Sequence, residues 1–323
     1  MYTLTIDQKL YTCHTDETVL DTLLRENINL SYACKKGTCH SCMVRSVEGI
    51  PPNAAQAGLK NTLKKQNYFL ACQCYPDQDM TIRLPDQSEF YRMGTIVVNT
   101  LLNRNTILLV IAFEDAFEFN AGQFVNLQRN DGLTRSYSIA NIPQKSNELE
   151  FHVRRLPGGK FSTWLHDDVR VGDSIAVSEP RGHCFYLPER HEQGLLLVGT
   201  GTGLAPLAGI LTDALSQGHT GPIHLFHGSR DVEDLYRIDE MRELAERHAN
   251  FYYSPCLSGN SVSEGFTAGR VNDIALSNFP DLKDWRVFLC GHPDMVNQMK
   301  MQSFLKGAAT ADIYADAFLL SLH

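Results

Sequence analysis

The amino-acid sequence predicts a multidomain chain, α+β in its first part and α/β in its last, with an antiparallel β-barrel between them. Three observations carry this expectation. Alternating strands surround one helix and a cysteine-rich loop up to Leu84, short β runs broken by turns fill Gly94 to Leu156, and apolar strands separated by helices occupy the rest. A chain of 323 residues has room for two or three domains at roughly 100–150 residues each. The expected segments are 1–88, 89–190 and 191–323.

In the first segment "YTLTI" (2–6) and "KLYTC" (9–13) alternate as short strands do, with Asp7-Gln8 as the turn between them. "DETVLDTLLRENI" (16–28) spaces Val19, Leu20, Leu23 and Leu24 at helical intervals, with Thr15 or Asp16 as N-cap. The loop "SYACKKGTCHSC" (31–42) leads into "CMVRSV" (42–47) as a strand. "NAAQAGLKNTLKKQ" (53–66) reads as a short helix before an extended "YFLACQC" (68–74). "LPDQSEFYRM" (84–93), polar and with a proline, reads as a linker.

The middle segment holds "GTIVVNTLL", "TILLVIAF", "QFVNLQ", "RSYSIA" and "LEFHVRRL", spaced as the strands of an antiparallel barrel are. Near "YLPERHEQG" (186–194) the pattern changes. "LLLVGTG" (195–201), "IHLFHG" (223–228) and "RVFLCG" (286–291) are apolar throughout, and helical stretches such as "PLAGILTDALSQG" (206–218) lie between them. Strands buried on both faces and linked by helices make a parallel sheet.

Composition narrows the function. The apolar fraction of 43% allows a full core. No apolar run approaches the ~20 residues of a membrane helix, and "MYTLTIDQKL" has no signal-peptide blocks, so the expected location is the cytoplasm. A formal charge of −8 argues against nucleic acid as the main partner. Phosphate-bearing cofactors could still bind locally.

Cys34, Cys39 and Cys42 stand at C-x4-C-x2-C spacing in one loop. A disulfide knot does not suit a cytoplasmic chain. A zinc site usually pairs two knuckles, and here only Cys39 and Cys42 form one. The plant-type [2Fe–2S] pattern fits and requires a distant fourth thiolate. Cys72 and Cys74 are the candidates, and in a strand, residues two apart face the same way. Cys13, Cys184 and Cys256 read as packing thiols.

In "LLLVGTGTGLAP" the glycines Gly199, Gly201 and Gly203 lie between a buried strand and a helix start, where a pyrophosphate can approach the backbone. Pro206 falls in the first helical turn, where its missing N–H costs nothing. The run is not G-x-G-x-x-G, and no acid ends the next strand: Ser229 and Arg230 follow Gly228 instead. Cys290 falls at the end of a later strand, on the rim where open α/β sheets bind ligands. Taken alone, it reads as a buried thiol. On "RSYSIAN" (135–141), Arg135, Tyr137 and Ile139 share one strand face and Ser136, Ser138 and Ala140 the other. Arg135 could form a forked contact to phosphate and Tyr137 could stack on a flat ring. "PGGKFSTWLHD" (157–167) puts Ser162 and Thr163 at an expected helix start, a second anion site.

Taken in order, C-x4-C-x2-C, R-x-Y-S, G-x-x-S, G-T-G-x-G-x-A-P and C-G-x-P resemble, along essentially the whole chain, the reductase components of bacterial multicomponent oxygenases. These belong to the ferredoxin–NADP reductase superfamily and carry an N-terminal plant-type ferredoxin domain. The resemblance implies a β-grasp [2Fe–2S] domain, a FAD-binding β-barrel and a nicotinamide-dinucleotide α/β domain. It implies an NADH-dependent oxidoreductase that feeds electrons through FAD and the cluster to an oxygenase or another one-electron acceptor protein.

The resemblance also implies roles. Arg135 would hold the FAD pyrophosphate with Gly159 and Ser162. Tyr137 would lie against the isoalloxazine, Ser138 near its N5, and Phe318 would be the C-terminal aromatic beside the flavin. Gly199, Thr200, Gly201 and Gly203 would cradle the dinucleotide, with Cys290 and Gly291 at the nicotinamide, so Cys290 becomes a site residue. "LACQ" selects Cys72 as the fourth ligand beside Cys34, Cys39 and Cys42. Arg230 with Ser229 could meet a 2′-phosphate, favouring NADPH, whereas relatives with a run like "GSRDVEDLY" use NADH, which is the expectation here. His40 departs from the small residue of related loops and His292 from a frequent proline. Lys35 and Lys36 would make a basic rim for an acidic partner. A reductase for another iron–sulfur enzyme such as a sugar-deoxygenation system, a flavin or quinone reductase and a redox-sensing binding protein are the rival readings.

Overall fold

The computed structural model describes residues 1–59, 61–84, 91–143, 147–259 and 264–318. Residues 85–90 of the expected linker, and the expected boundary between 88 and 89, lie outside them. The chain falls into two compact units. The first takes Met1–Met93, Val125–Ser136 and Ile175–Glu179, and the second Gly94–Phe124, Tyr137–Ser174 and Pro180–His323.

The first unit opens on the predicted hairpin of β1 (Tyr2–Ile6) and β2 (Lys9–Cys13). Asp7 and Gln8 have φ of 47° and 67°, as a two-residue turn matched to the twist of its strands demands. Helix α1 (Val19–Arg25) is capped by Thr18, later than the expected Thr15 or Asp16. The Thr18 hydroxyl accepts from the Asp21 N–H, and the Asp21 carboxylate accepts from the Thr18 N–H. That reciprocal box satisfies two orphan donors, which neither earlier residue does. β3 (Met43–Glu48) follows. The single helix expected over 53–66 is two pieces, a 3₁₀ turn at Asn53–Gln56 and α2 (Asn61–Lys65). Gly58 between them has φ 78°, and a left-handed residue ends helical winding. β4 (Tyr68–Leu70) runs into a 3₁₀ turn at Ala71–Gln73 before β5 (Met80–Arg83). The sheet order is β2-β1-β5-β3-β4, with β1 and β5 parallel. Leu4, Leu20, Leu23, Val44, Phe69 and Leu70 close the core against α1.

The middle segment supplies antiparallel strands to both units: β6 (Tyr91–Asn103), β7 (Thr106–Ala112), β8 (Phe124–Gln128), β9 (Thr134–Ser138), β10 (Glu148–Arg154) and, after α3 (Lys160–Asp167), β11 (Ser174–Ser178). In the first unit the order is β11-β8-β9, with Ala176 opposite Gln128. In the second it is β10-β7-β6, with Phe151 opposite Leu109.

The rest of the second unit alternates β12 (Gly194–Thr200), α4 (Leu204–Ser216), β13 (Ile223–Ser229), α5 (Ile238–Arg247), β14 (Phe251–Leu257), β15 (Thr267–Ala268), α6 (Val271–Asn278), β16 (Trp285–Gly291), α7 (Pro293–Leu305) and β17 (Ile313–Ala317). They form a sheet ordered β15-β14-β13-β12-β16-β17, with β12 parallel to both its neighbours. Leu195 and Leu197 pack with Leu204 and Leu207 of α4, while Leu196 and Val198 pack with Met295 and Val296 of α7. This two-sided burial explains the unbroken apolar run. The chain leaves β12 towards β13 and β14 and later returns to β12's other edge as β16, so a crevice opens between the carboxyl ends of β12 and β16. Open α/β sheets bind ligands at such a switch point. Among the described residues no helix is long and apolar enough to cross a membrane.

Candidate cofactor sites

In the first unit the cysteine loop winds through left-handed positions at Lys35, Gly37 and His40 (φ 52°, 77° and 55°). The winding turns thiols and backbone N–H groups inward. Cys34 N–H donates to Cys39 Sγ and Cys39 N–H to Cys34 Sγ, each at 3.4 Å, and Lys36 N–H reaches Cys34 Sγ at 3.3 Å. The Ser41 hydroxyl donates to Cys39 Sγ at 3.2 Å, and Cys72 N–H donates to Cys42 Sγ at 3.4 Å. The thiols thus come as two pairs, Cys34 with Cys39 and Cys42 with Cys72. The hydrogen bond from the Cys39 thiol holds Cys34 well below the ordinary thiol range.

Among the described residues no three His, Cys, Asp or Glu side chains gather round a point as a single-ion site needs. Two cysteine pairs, each with amide donors on sulfur, are instead what a two-iron cluster takes once their thiols are deprotonated. Cys72 and Cys74 do not face the same way as strand residues would, because Cys72 lies in the 3₁₀ turn. Cys74 is fully buried, and its thiol is pushed up to about 12 by burial, with Cys13 adding to the effect. His40 occupies a left-handed position, which favours the glycine of related loops; its ring reaches towards Gly58, where a Cβ would meet Nε2 at 3.5 Å. Lys35 pairs with Asp21 at 3.8 Å and lies over the Tyr32 ring, so its charge is already engaged within the unit.

Arg135, also in the first unit, is half-buried and donates to the Thr134 carbonyl at 2.7 Å. Strand β9 passes into the second unit at Tyr137. There the Tyr137 ring lies 5.9 Å from that of Phe161 on α3. Helix α3 starts at Lys160 behind Gly159, earlier than the expected Ser162–Thr163. The Ser162 hydroxyl is buried, accepting from Leu156 N–H and donating to the Gly159 carbonyl. What α3 offers an anion is therefore its first-turn N–H groups rather than that hydroxyl. Gly159 is required because a Cβ would come within 2.7 Å of Ser162 Oγ.

At the switch point Gly199 stands opposite Cys290. Gly201 has φ 54°, and a Cβ there would meet only the Arg154 guanidinium, at 3.8 Å. A left-handed glycine beside a cation makes a cradle for phosphate. Gly203 is a glycine for another reason, since its Cβ would overlap the Cys290 carbonyl. Thr200 Oγ1 accepts from His292 N–H at 2.9 Å, tying the glycine loop to the turn at Gly291 (φ 121°). Cys290 is fully buried, with its Sγ 3.8 Å from Cys184 Sγ, and burial pushes its thiol well up. Asp316 lies beside Cys290 on β17, and Phe318 N–H donates to the Gly291 carbonyl at 2.8 Å. Ser138 Oγ donates to Asp316 Oδ2 at 3.0 Å, and burial raises the Asp316 carboxyl above the usual range.

Ser138, Cys290, Gly291, Asp316 and Phe318 are thus neighbours. Asp316 escaped the sequence reading, although its place two residues before Phe318 was a usable signal. His227, fully buried, also escaped: its Nε2–H donates to the Gly201 carbonyl at 3.1 Å. Arg230 lies just past β13, exposed, its carbonyl accepting from Gly259 N–H. Tyr236 of the "DLY" run is buried and hydrogen-bonds His152, so it packs rather than binds.

A chain with paired thiols on a β-grasp sheet, an antiparallel flavin-type sheet and a glycine loop at an α/β switch point defines an electron-transferring flavoprotein with an iron–sulfur centre. Comparison with known proteins agrees. The 2Fe-2S iron-sulfur cluster binding domain matches residues 4–77, the oxidoreductase FAD-binding domain 94–186 and the oxidoreductase NAD-binding domain 197–301. The chain is 35% identical to the reductase component of the naphthalene 1,2-dioxygenase system of Pseudomonas putida, over 92% of each chain. It is 32% identical to the toluate 1,2-dioxygenase electron transfer component of Pseudomonas putida, over 95% of this chain and 94% of that one. The crystal structure of the Amycolatopsis cytochrome P450 reductase GcoB superposes with a TM-score of 0.71 at 27% identity, covering 98% of this chain and 99% of that one. The chain belongs to the family of oxygenase reductase components with an N-terminal [2Fe–2S] domain. It is an oxidoreductase whose cofactors are a [2Fe–2S] cluster, FAD and NADH.

Proposed function

We propose that this chain takes electrons from NADH and passes them, through FAD and a [2Fe–2S] cluster, to the oxygenase component of an aromatic-hydroxylating system. The observation that carries this reading is one chain holding both the twin thiol pairs and the Ser138–Asp316–Cys290 grouping beside a glycine loop. Bound FAD converts a hydride's electron pair into single electrons and the cluster carries them one at a time.

The residues bind and orient. Gly199, Thr200, Gly201 and Gly203 hold the dinucleotide, and Gly201 admits its pyrophosphate beside Arg154. Cys290 and Gly291 shape the nicotinamide edge and exclude water there. Ser138 presents its hydroxyl to the flavin edge and Asp316 holds the hydroxyl proton. Arg135, Gly159 and the Ser162 N–H take the FAD pyrophosphate, while Tyr137 and Phe318 face its ring. Cys34, Cys39, Cys42 and Cys72 ligate the cluster. The segments 1–88, 89–190 and 191–323 serve these three tasks, and the cytoplasm is the proposed location.

The test is rapid mixing of the loaded protein with NADH and with NADPH, followed by an aromatic oxygenase. Flavin absorbance bleaching before cluster absorbance, faster with NADH, and oxygenase turnover on adding the partner are expected. Bleaching in the reverse order overturns the scheme.

A further inference from the structure

We propose that Asn126 is a positioning residue for electron transfer between flavin and cluster, fixing the peptide of Cys39 onto the strand that carries the flavin contacts. This rests on the reading above, in which Cys39 is a cluster ligand and Arg135 a flavin contact.

Asn126 is 1% exposed on β8, and both ends of its amide are used. Its Nδ2–H donates to the Cys39 carbonyl at 2.9 Å, and its Oδ1 accepts from Ser136 Oγ at 2.7 Å. Its main-chain N–H donates to Ser178 Oγ at 2.9 Å, so the side chain is tied to two stretches and the backbone beneath it to a third. Ser136 sits between Arg135 and Tyr137, and alternation points it to the opposite face of β9 from theirs. One strand thus carries Arg135 and Tyr137 on one face and, through Ser136 and Asn126, the ligand's own peptide on the other.

A buried amide is a poor space-filler, since each polar end left unpaired costs about 1–3 kcal/mol. What it adds over an apolar side chain is a fixed geometry. The hydrogen bond also polarises the Cys39–His40 peptide, because linked hydrogen bonds strengthen one another. Other polar ties join the same stretches without touching a ligand. Gln128 Nε2 donates to Ser31 Oγ and Thr134 Oγ1, and Asn29 Nδ2 donates to the Asp131 carbonyl at 3.4 Å. They serve as internal controls.

The test uses the full chain loaded with FAD and cluster, comparing wild type with Asn126→Asp, Asn126→Ala and Gln128→Leu. Asn126→Asp keeps the shape and removes the donor. After mixing with NADH, flavin bleaching should be unchanged in every variant. The later cluster phase should slow about tenfold or more in both Asn126 variants, as a small misplacement of reacting centres does, and stay near wild type in Gln128→Leu. The electron paramagnetic resonance spectrum of the reduced cluster should shift in Asn126→Asp and stay as in wild type in Gln128→Leu. A wild-type cluster phase in both Asn126 variants overturns the proposal, as does equal slowing in Gln128→Leu. If the Asn126 variants do not hold a cluster, Ser136→Ala decides. It frees the amide without touching the loop, and an unchanged cluster phase and spectrum there overturn the proposal. A wild-type protein whose flavin does not bleach with NADH would refute the underlying reading instead.

Discussion

Ser138 and Asp316, 178 positions apart in the sequence, share a 3.0 Å hydrogen bond from hydroxyl to carboxylate. Each belongs to a different sheet type, the antiparallel β9 and the parallel β17. Burial raises the Asp316 carboxyl, with the Ser138 hydrogen bond opposing it. Asp316→Ala should slow flavin bleaching by NADH by about 10²-fold, the usual scale for losing a positioned proton-handling group. Ser138→Ala should do likewise, and the double variant should be little worse than either, since paired groups act as a unit. The sign of the pH effect on stability follows from the raised carboxyl. Below the ordinary carboxylate range both folded and unfolded forms are protonated, so nothing is lost. Above it the unfolded chain ionises more readily, so the folded state is penalised as pH rises. Asp316→Asn should therefore gain stability at pH 7 and none near pH 3, measured by denaturant midpoints.

The two glycines of the dinucleotide loop should fail differently. Gly203→Ala pushes a methyl into the Cys290 carbonyl, and overpacking of this kind costs about 1–3 kcal/mol. It should lower the unfolding midpoint and NADH affinity together. Gly201→Ala makes only an ordinary contact with the Arg154 guanidinium but must hold φ 54°, at a penalty of about 1 kcal/mol. It should weaken NADH binding with a smaller loss of stability. Calorimetry with NADH beside thermal melts separates the two, and identical profiles would contradict the packing argument.

Cys72 and Cys74 give the sharpest contrast in the first unit. Cys72→Ser should abolish the visible absorption of the cluster, because its sulfur is the partner of Cys42. Cys74→Ser should keep that absorption and lose stability instead, because it puts a hydroxyl into a fully buried site. The measurement is the absorption spectrum after reconstitution with iron and sulfide. A colourless Cys74→Ser beside a coloured Cys72→Ser reverses the assignment.

The sequence made the three architectures legible because each rests on a local period. The alternation in "YTLTI" and "KLYTC" and the unbroken "LLLV" of β12 reappear as the hairpin and the twice-covered central strand. Thiol spacing and the glycine run are likewise local. Relationships set by distant partners were out of reach. Asp316 is informative only once β17 lies beside β16, and Asn126 only once β8 meets the cysteine loop. Cys72 and Cys74 looked equivalent because the sequence suggested a strand where the chain makes a 3₁₀ turn. β11 was overlooked because its "SIAVS" is short, between polar turns. The cap at Thr18 was misplaced because Thr15, Asp16 and Thr18 are all capping types, and only the reciprocal bond with Asp21 separates them.

His227 supplies the last prediction. Its Nε2–H serves the Gly201 carbonyl, and its Nδ1 faces the Tyr253 hydroxyl at 3.4 Å. Burial pulls its pKa from 6.5 down to about 4, against the opposing pull of the Gly201 carbonyl. The neutral ring's contribution is therefore fully present above pH 6.5. As pH falls towards 4, the unfolded chain takes up a proton that the folded chain refuses, and stability drops. At about 1.4 kcal/mol for each tenfold change in proton affinity, the loss is on the order of 3 kcal/mol. His227→Gln keeps an N–H for Gly201 and has nothing to titrate. Its stability should fall less than that of wild type between pH 6.5 and 4, while NADH affinity at pH 7 stays close to wild type. His227→Leu should share the flatter pH profile but bind NADH about tenfold more weakly, as loss of one hydrogen bond implies. His219, also held near 4 by burial, is present in all three proteins, so their differences isolate position 227. Parallel stability curves for wild type and His227→Gln across that range would mean the ring is not held neutral by the fold.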